Sequence, residues 1–148
     1  MDALKLLKDD HESMKGLLEK LGSTTERGVK TREELFAKVK EELAAHEAIE
    51  EEIFYPALQE HPKAKEVVLE GYEEHHVVDL ISSEIDETPY DDETWGAKFS
   101  VMKENIEHHI EEEEGEMFKQ ARQVFSKSEL DELGTRMEQR KETASVGA

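Results

Sequence analysis

The 148-residue chain has no cysteine, which excludes disulfides, thiolate nucleophiles, iron–sulfur clusters and cysteine-ligated zinc. Any bound metal must be held by nitrogen and oxygen. Proline is scarce, with three residues, and aromatics make up only 6%. Long stretches therefore run free of strong helix breakers. No apolar run approaches the roughly 20 residues of a membrane span, and Met1 to Lys20 is amphipathic rather than signal-like. Positive charge is in deficit: 19 basic residues face 38 acidic ones, a net charge of -19. Nucleic acid and anionic membrane surfaces would repel such a chain and are excluded as partners. A soluble, cytoplasmic protein is expected. The 39% of charged residues suits long amphipathic helices with solvated faces.

What the chain does contain is apolar periodicity at helical spacing. Leu4, Leu7, His11, Met14, Leu18 and Leu21 form one stripe, closed by Gly22. A second runs Phe36, Val39, Leu43, His46, Glu50, Ile53, Ala57 and ends at His61-Pro62, with a kink expected at Pro56. A third helix should start near Lys63, carry Val67, Val68, Val78, Ile81 and Ile85, and stop at Thr88-Pro89. Asp91 or Asp92 should cap the fourth, whose stripe is Trp95, Phe99, Met102, Ile106, His109, Glu113, Met117, Val124. Ser126 with Glu129 is a capping box that announces a short fifth helix bearing Leu130, Leu133 and Met137. Short loops make consecutive helices antiparallel neighbours. The expected fold is all-α: an up-down-up-down four-helix bundle with an appended C-terminal helix over residues 1–142, and a frayed tail at 143–148.

Two of these stripes repeat one constellation, His46 with Glu50 and His109 with Glu113. Residues at i and i+4 stand one above the other on a helical face, so each pair aims an imidazole and a carboxylate the same way. His11 holds a comparable central place in the first helix. In the third, His75 and His76 are adjacent and cannot both face inward. The apolar phase favours His75, while the alternative register would bring His76 inward beside Tyr72. A lone histidine on an apolar face is usually a satisfied core residue, but several imidazoles and carboxylates left unpartnered in a core cost several kcal/mol each. Coordination of a cation removes that penalty. His108 and His61 read as surface and turn residues. Within the acidic runs only Glu50 and Glu113 are in phase, with Glu51 and Glu114 next in line. Phe54, Tyr55 and Phe118 read as packing beside the site. Without a cation, Glu50 and Glu113 cannot both ionise cheaply, so one or both should take up a proton or draw in water.

Imidazole with carboxylate suits iron, manganese or zinc. The blocks LLKDDH, HEAIEEEIFYPAL, EEHHVVDLISSEI and HHIEEEEGEMF, in this order over about Met1 to Val124, resemble the hemerythrin-like proteins of the HHE cation-binding family. The resemblance implies two non-haem iron ions, oxo- or hydroxo-bridged, with zinc or manganese as substitutes. It implies His11, His46, His75 and His109 as terminal ligands and Glu50 and Glu113 as bridging carboxylates. Oxygen-carrying hemerythrins place a second histidine one turn from the third-helix ligand. Gly71 stands there in this chain, which weakens the case for a dedicated oxygen carrier. The expected function is binding or processing of a small diatomic ligand or peroxide, either dioxygen, nitric oxide or peroxide itself. If the protein is an enzyme, it is an oxidoreductase such as a peroxide-decomposing one. The alternatives are iron binding for storage, sensing or repair, and a zinc-stabilised structural bundle.

Overall fold

A computed structural model describes the backbone of residues 1–147 and the side chains through residue 144. Among the described residues the fold is all-helical, without strands. Helix α1 spans Ala3–Gly22, and α2 spans Val29–Ile49 and continues through a π-helical segment, Glu50–Phe54, into α3, Tyr55–Gln59. After a turn, α4 covers Lys65–Asp86. The next rod repeats the second: α5, Trp95–Glu112, then a π-helical segment, Glu113–Met117, then α6, Phe118–Val124. Helix α7, Lys127–Gly147, packs against α1 and α2. This is the bundle with an added helix that the periodicity predicted, although the added helix, expected to be short, is 21 residues long. The frayed tail expected at 143–148 falls partly outside the described residues. No described helix is long and apolar enough to cross a membrane.

The ends form largely as the sequence dictates. The Asp2 carboxylate accepts the Lys5 N–H at 2.8 Å and caps α1. The capping box closes reciprocally, with Ser126 N–H donating to Glu129 at 2.8 Å and Glu129 N–H to Ser126 Oγ at 3.1 Å. The cap expected at Asp91 or Asp92 shifts: Thr94 precedes α5, and Asp92 accepts the Thr94 N–H at 2.7 Å from the turn before it. The kink expected at Pro56 takes another form. A widened π turn lies just ahead of it, and Pro56 sits in the first turn of α3, where a missing N–H costs little. The Tyr72 hydroxyl reaches the nearby Glu51 carbonyl at 3.4 Å.

The core divides in two. One apolar cluster, at the end nearest α7, contains Leu4, Leu7, Ile49, Phe54, Leu58, Val68, Phe118, Leu133 and Met137. The other contains Met14, Leu18, Phe36, Val78, Trp95, Phe99 and Ile106. Each fully buried large apolar side chain contributes about 1.5–3 kcal/mol, so these two clusters hold the bundle together. The buried polar side chains His11, His46, Glu50, His75, His109 and Glu113 lie on the same helices as both. Gly134 lets α7 close on the N-terminus, since a Cβ there would collide with the Met1 carbonyl.

Candidate metal centre

All six residues singled out by phase are buried and converge. Glu50 is completely buried and Glu113 is 1% exposed, while His11, His46, His75 and His109 are 1%, 9%, 4% and 6% exposed. Ligand-type atoms of His11, His46, Glu50 and Glu113 lie within 4.8 Å of one another, as do those of Glu50, His75 and His109. The choice of His75 over His76 agrees with the packing, because His75 faces the core and His76 is exposed. His108 is exposed as well, and His61 lies partly buried against the Phe125 ring, 5.3 Å between centroids.

Each imidazole turns Nε2 inward. His11 Nε2 is 3.1 Å from Glu113 Oε1 and His46 Nε2 is 3.3 Å from Glu50 Oε1. His75 Nε2 is 3.0 Å from Glu50 Oε1 and His109 Nε2 is 3.2 Å from Glu113 Oε2. Each Nδ1 meets a carboxylate borne by a neighbouring helix. Asp10 of α1 meets His46 at 3.0 Å, and Glu51 of the first π segment meets His75 at 2.7 Å. Glu74 of α4 meets His109 at 2.6 Å, and Glu114 of the second π segment meets His11 at 2.7 Å. The four contacts close a ring around the bundle. Each rod that supplies an inward residue also supplies, from a position directly before or after it in the chain, the carboxylate that orients the next rod's histidine. Nδ1–H donation to a carboxylate fixes the tautomer and leaves the Nε2 lone pair free to bind an ion.

This ring corrects the sequence reading of Glu51 and Glu114. They are next in line for the histidines, not for the centre. Asp10 and Glu74 were missed, although each directly precedes a ligand-type histidine in the chain. Glu47 was missed too. It is 8% exposed and forms a further close group with Glu51 and His75. Burial, with the nearby Asp79 and Glu51, raises its carboxyl to about 8 against the charge of His75.

Tyr55 is the larger correction. An α-helical period would carry it about 140° around from Glu50. The π segment changes that phase: Tyr55 N–H bonds to the Glu50 carbonyl five residues back, and the ring stacks on His75 with centroids 5.4 Å apart. Its hydroxyl donates to Glu113 Oε2 at 2.8 Å and lies 3.4 Å from Nε2 of both His75 and His109. Tyr55 therefore belongs to the site. Phe118 does stack on His11, with centroids 6.3 Å apart. Phe54 is core.

The electrostatics suit a bound cation. Six carboxylates, from Asp10, Glu50, Glu51, Glu74, Glu113 and Glu114, surround four imidazoles. His11 Nε2, His46 Nε2, Glu50 Oε2 and Glu113 Oε1 are buried without a hydrogen-bond partner, despite the short approaches just given. Burial disfavours a charged His109, yet its bonds to Glu113 and Glu74 and the charges of Glu113 and Glu50 raise it to about 10. His46 is likewise opposed by burial but carried well above its ordinary value by Glu50 and Asp10. Burial pushes Glu113 up, but Glu50, His109 and His11 hold it well below the usual carboxylate range. The proton uptake expected at one or both of Glu50 and Glu113 is thus disfavoured at Glu113, whose charge the neighbouring imidazoles meet. A cavity of about 370 Å³ opens beside the four histidines, walled by Met14, Leu43, Val78, Ile106 and Ile110 and reaching exposed Lys38 and Glu41 at its rim.

Residues 2–121 match the model of the hemerythrin HHE cation-binding domain. The chain belongs to that family. Its relatives include the uncharacterized proteins Rv2633c of Mycobacterium tuberculosis strain H37Rv and Mb2666c of Mycobacterium bovis, each 31% identical over 138 residues, which are 93% of this chain and 83% of the relative. A crystal structure of a hemerythrin HHE cation-binding domain-containing protein from Mycobacterium kansasii, a homolog of Rv2633c, superimposes with a TM-score of 0.88 at 30% identity, covering 99% of this chain and 89% of that one. This HHE domain is accordingly a cation-binding helical bundle with clustered His and Glu donors.

Proposed function

We propose that the domain holds two metal ions, natively iron, and binds or processes dioxygen, peroxide or nitric oxide. His11 and His46 would hold one ion and His75 and His109 the other, with the Glu50 and Glu113 carboxylates available to both. The observation that carries this reading is the pair of buried, unpartnered Nε2 atoms on His11 and His46, facing the carboxylates of Glu113 and Glu50. With Nδ1–H committed to Glu114 and Asp10, each Nε2 offers a lone pair toward an anion. Only a cation or a proton between them makes that arrangement favourable.

Bound iron would supply reversible electron transfer and open positions for a small ligand. The chain's own residues do the rest. The Asp10, Glu51, Glu74 and Glu114 carboxylates lock the imidazoles in the ligating tautomer and raise their basicity. The apolar cavity wall limits water at the histidines while leaving room for a small molecule. Structural zinc is less well supported, because structural zinc sites are usually closed and tetrahedral, whereas six inward donors here border a cavity. Metal analysis of freshly purified protein, followed by a dioxygen and peroxide challenge monitored by absorption, tests the proposal. Two irons per chain and a spectrum that responds to either oxidant are expected. Saturation at one ion per chain would refute the dinuclear arrangement.

A further inference from the structure

The cavity beside the histidines is far larger than a diatomic ligand or peroxide needs. An apolar cavity of about 150 Å³ accommodates a benzene-sized molecule, and a single water takes about 30 Å³. This cavity measures about 370 Å³. Pockets of that size, mostly apolar with a few placed polar groups, take organic ligands. Its apolar walls come from four helices: Met14 of α1, Leu43 of α2, Val78 of α4, and Ile106 and Ile110 of α5.

One polar group in this wall has no part in the metal centre. Glu42 lies one turn before His46, so the two share a face of α2. Its carboxylate is divided between surface and interior. Oε1 accepts a hydrogen bond from Ser13 Oγ at 2.7 Å, which fixes the group between α1 and α2. Oε2 is buried at the cavity with no hydrogen-bond partner. A buried acceptor left alone is costly, a charged one most of all. A donor on a molecule bound in the cavity removes that cost.

The surrounding charges select the kind of donor. Apart from Ser13 and the histidines, the polar lining consists of Asp10, Glu41, Glu42 and Glu47 with Lys38 and Lys141. Lys141 is already paired with Asp10. Lys38 alone then faces Glu41, Glu42 and Glu47 along this lining. Such an acidic excess repels carboxylates and phosphates and attracts cations.

We propose that the cavity is a binding site for a small organic amine. Its ammonium group donates to Glu42 Oε2, and its apolar body, of about six to ten carbons, lies among Met14, Leu43, Val78, Ile106 and Ile110. With the head held at Glu42, the body rests against the histidines one turn further along α2 and covers the open side of the centre. None of the six proposed metal ligands binds the amine, so the site stands independently of the two-ion reading.

Calorimetric titration of the purified full-length protein at pH 7 compares n-hexylamine, 1-hexanol, hexanoate and ammonium chloride, with metal content measured on the same sample. Hexylamine should bind once per chain with a dissociation constant of about 1 mM or below, at least about tenfold more tightly than hexanol. Hexanoate and ammonium should be weaker than either. Glu42→Gln should lower the affinity for hexylamine about 10–100-fold and leave that for hexanol unchanged. Leu43→Phe, at a half-buried wall position, should weaken both hexyl compounds by filling the cavity. Equal binding of hexylamine and hexanol overturns the proposal, as does tighter binding of hexanoate. So does hexylamine binding that survives Glu42→Gln, and its loss on chelation of the metal would then mark the amine as a metal ligand instead. Should Leu43→Phe fail to fold, Glu42→Gln and the four-compound comparison still decide. A protein that binds hexylamine but fewer than two metal ions overturns the two-ion reading alone.

Discussion

The half of the centre built on His11 and His46 and the half built on His75 and His109 share a plan and differ in finish. Both use an i, i+4 pair of histidine and glutamate that runs into a π segment, and both orient every histidine through a carboxylate on a neighbouring helix. They differ in what lies beyond. The first half ends against Phe118 and a completely buried Leu7, and it leaves two Nε2 atoms unpartnered. The second ends against the Tyr55 hydroxyl and Gly71, so that its Nε2 atoms already face an oxygen. A shared plan of this kind repeats one donor set on two pairs of helices, and the two sets differ beside the histidines in one aromatic and one small residue.

The largest effects should come from the two carboxylates common to both halves. Glu113 faces His11 in one half and His109 in the other, at 3.1 and 3.2 Å, and Glu50 faces His46 and His75. On the two-ion reading, removing either would take a ligand from both ions. Glu113→Ala or Glu50→Ala should therefore abolish dinuclear loading, where His46→Ala removes one ion. Metal content per chain measures the difference. In the metal-free protein Glu113→Ala also leaves buried imidazolium groups uncompensated, a loss of about 3–5 kcal/mol readable by urea denaturation. Loss of one ion only from Glu113→Ala would show that the halves do not share this residue.

The orienting ring should give the next largest effects, and these should sort by half. Glu51→Gln and Glu74→Gln act on His75 and His109, whereas Asp10→Asn and Glu114→Gln act on His46 and His11. Each should weaken metal binding by about 10–100-fold, with the Glu51 and Glu74 variants perturbing one ion and the Asp10 and Glu114 variants the other. Competition against a calibrated chelator reads the affinities. Asp10 also pairs with Lys141 of α7, so Lys141→Ala should reproduce a fraction of the Asp10 effect. Equal weakening of both ions by every variant would mean that the ring acts as one unit.

Proton and metal should compete for the same atoms, which gives opposite pH trends with and without metal. In the metal-free protein the His109 imidazolium is raised to about 10, against about 6.5 unfolded. Its contribution is fully present below about 6.5 and is lost as the pH rises through about 10. Glu47, raised to about 8, adds a loss of the same sign between its unfolded value near 4.5 and about 8. The metal-free melting temperature should thus fall by several degrees between pH 6.5 and pH 10. The loaded protein should hold its metal more tightly over that range and release it as the histidines protonate below about pH 6. Loaded and metal-free melting curves recorded across pH test this. Parallel trends would place the ions away from these histidines.

The parts of this arrangement that were legible in the sequence share a physical cause. Helices and inward ligands follow from a 3.6-residue period, and burial writes that period into residue type. His75 was separable from His76 because Val68 and Val78 fix the phase. The π turns were not legible, since a bond from residue i+5 leaves no characteristic residue types behind. Such a turn shifts the α-helical phase beyond it, and Tyr55 was read as packing for that reason. The ring was hidden by a different obstacle: each carboxylate serves a histidine on another helix, and a single-helix pattern carries no record of which neighbour it meets.

The smallest expected effect separates chain adjacency from function in the two halves. The second half carries an extra histidine beside each of its own, His76 after His75 and His108 before His109. The first half has Asp10 and Ala45 ahead of its pair. A count of histidines would thus make the second half look richer in ligands. Adjacent residues on a helix point about 100° apart, however, and both His76 and His108 are exposed. His108 approaches the exposed Glu112, at 3.5 Å and one turn on. Such a pair contributes about 0.3–0.5 kcal/mol at most. His76→Ala and His108→Ala should each retain two metal ions and shift stability by no more than about 0.5 kcal/mol, measured by metal analysis and denaturant midpoints. A lost ion in His76→Ala would mean that α4 turns its other face inward when metal binds, bringing Tyr72 to the centre and putting Tyr55 out of place.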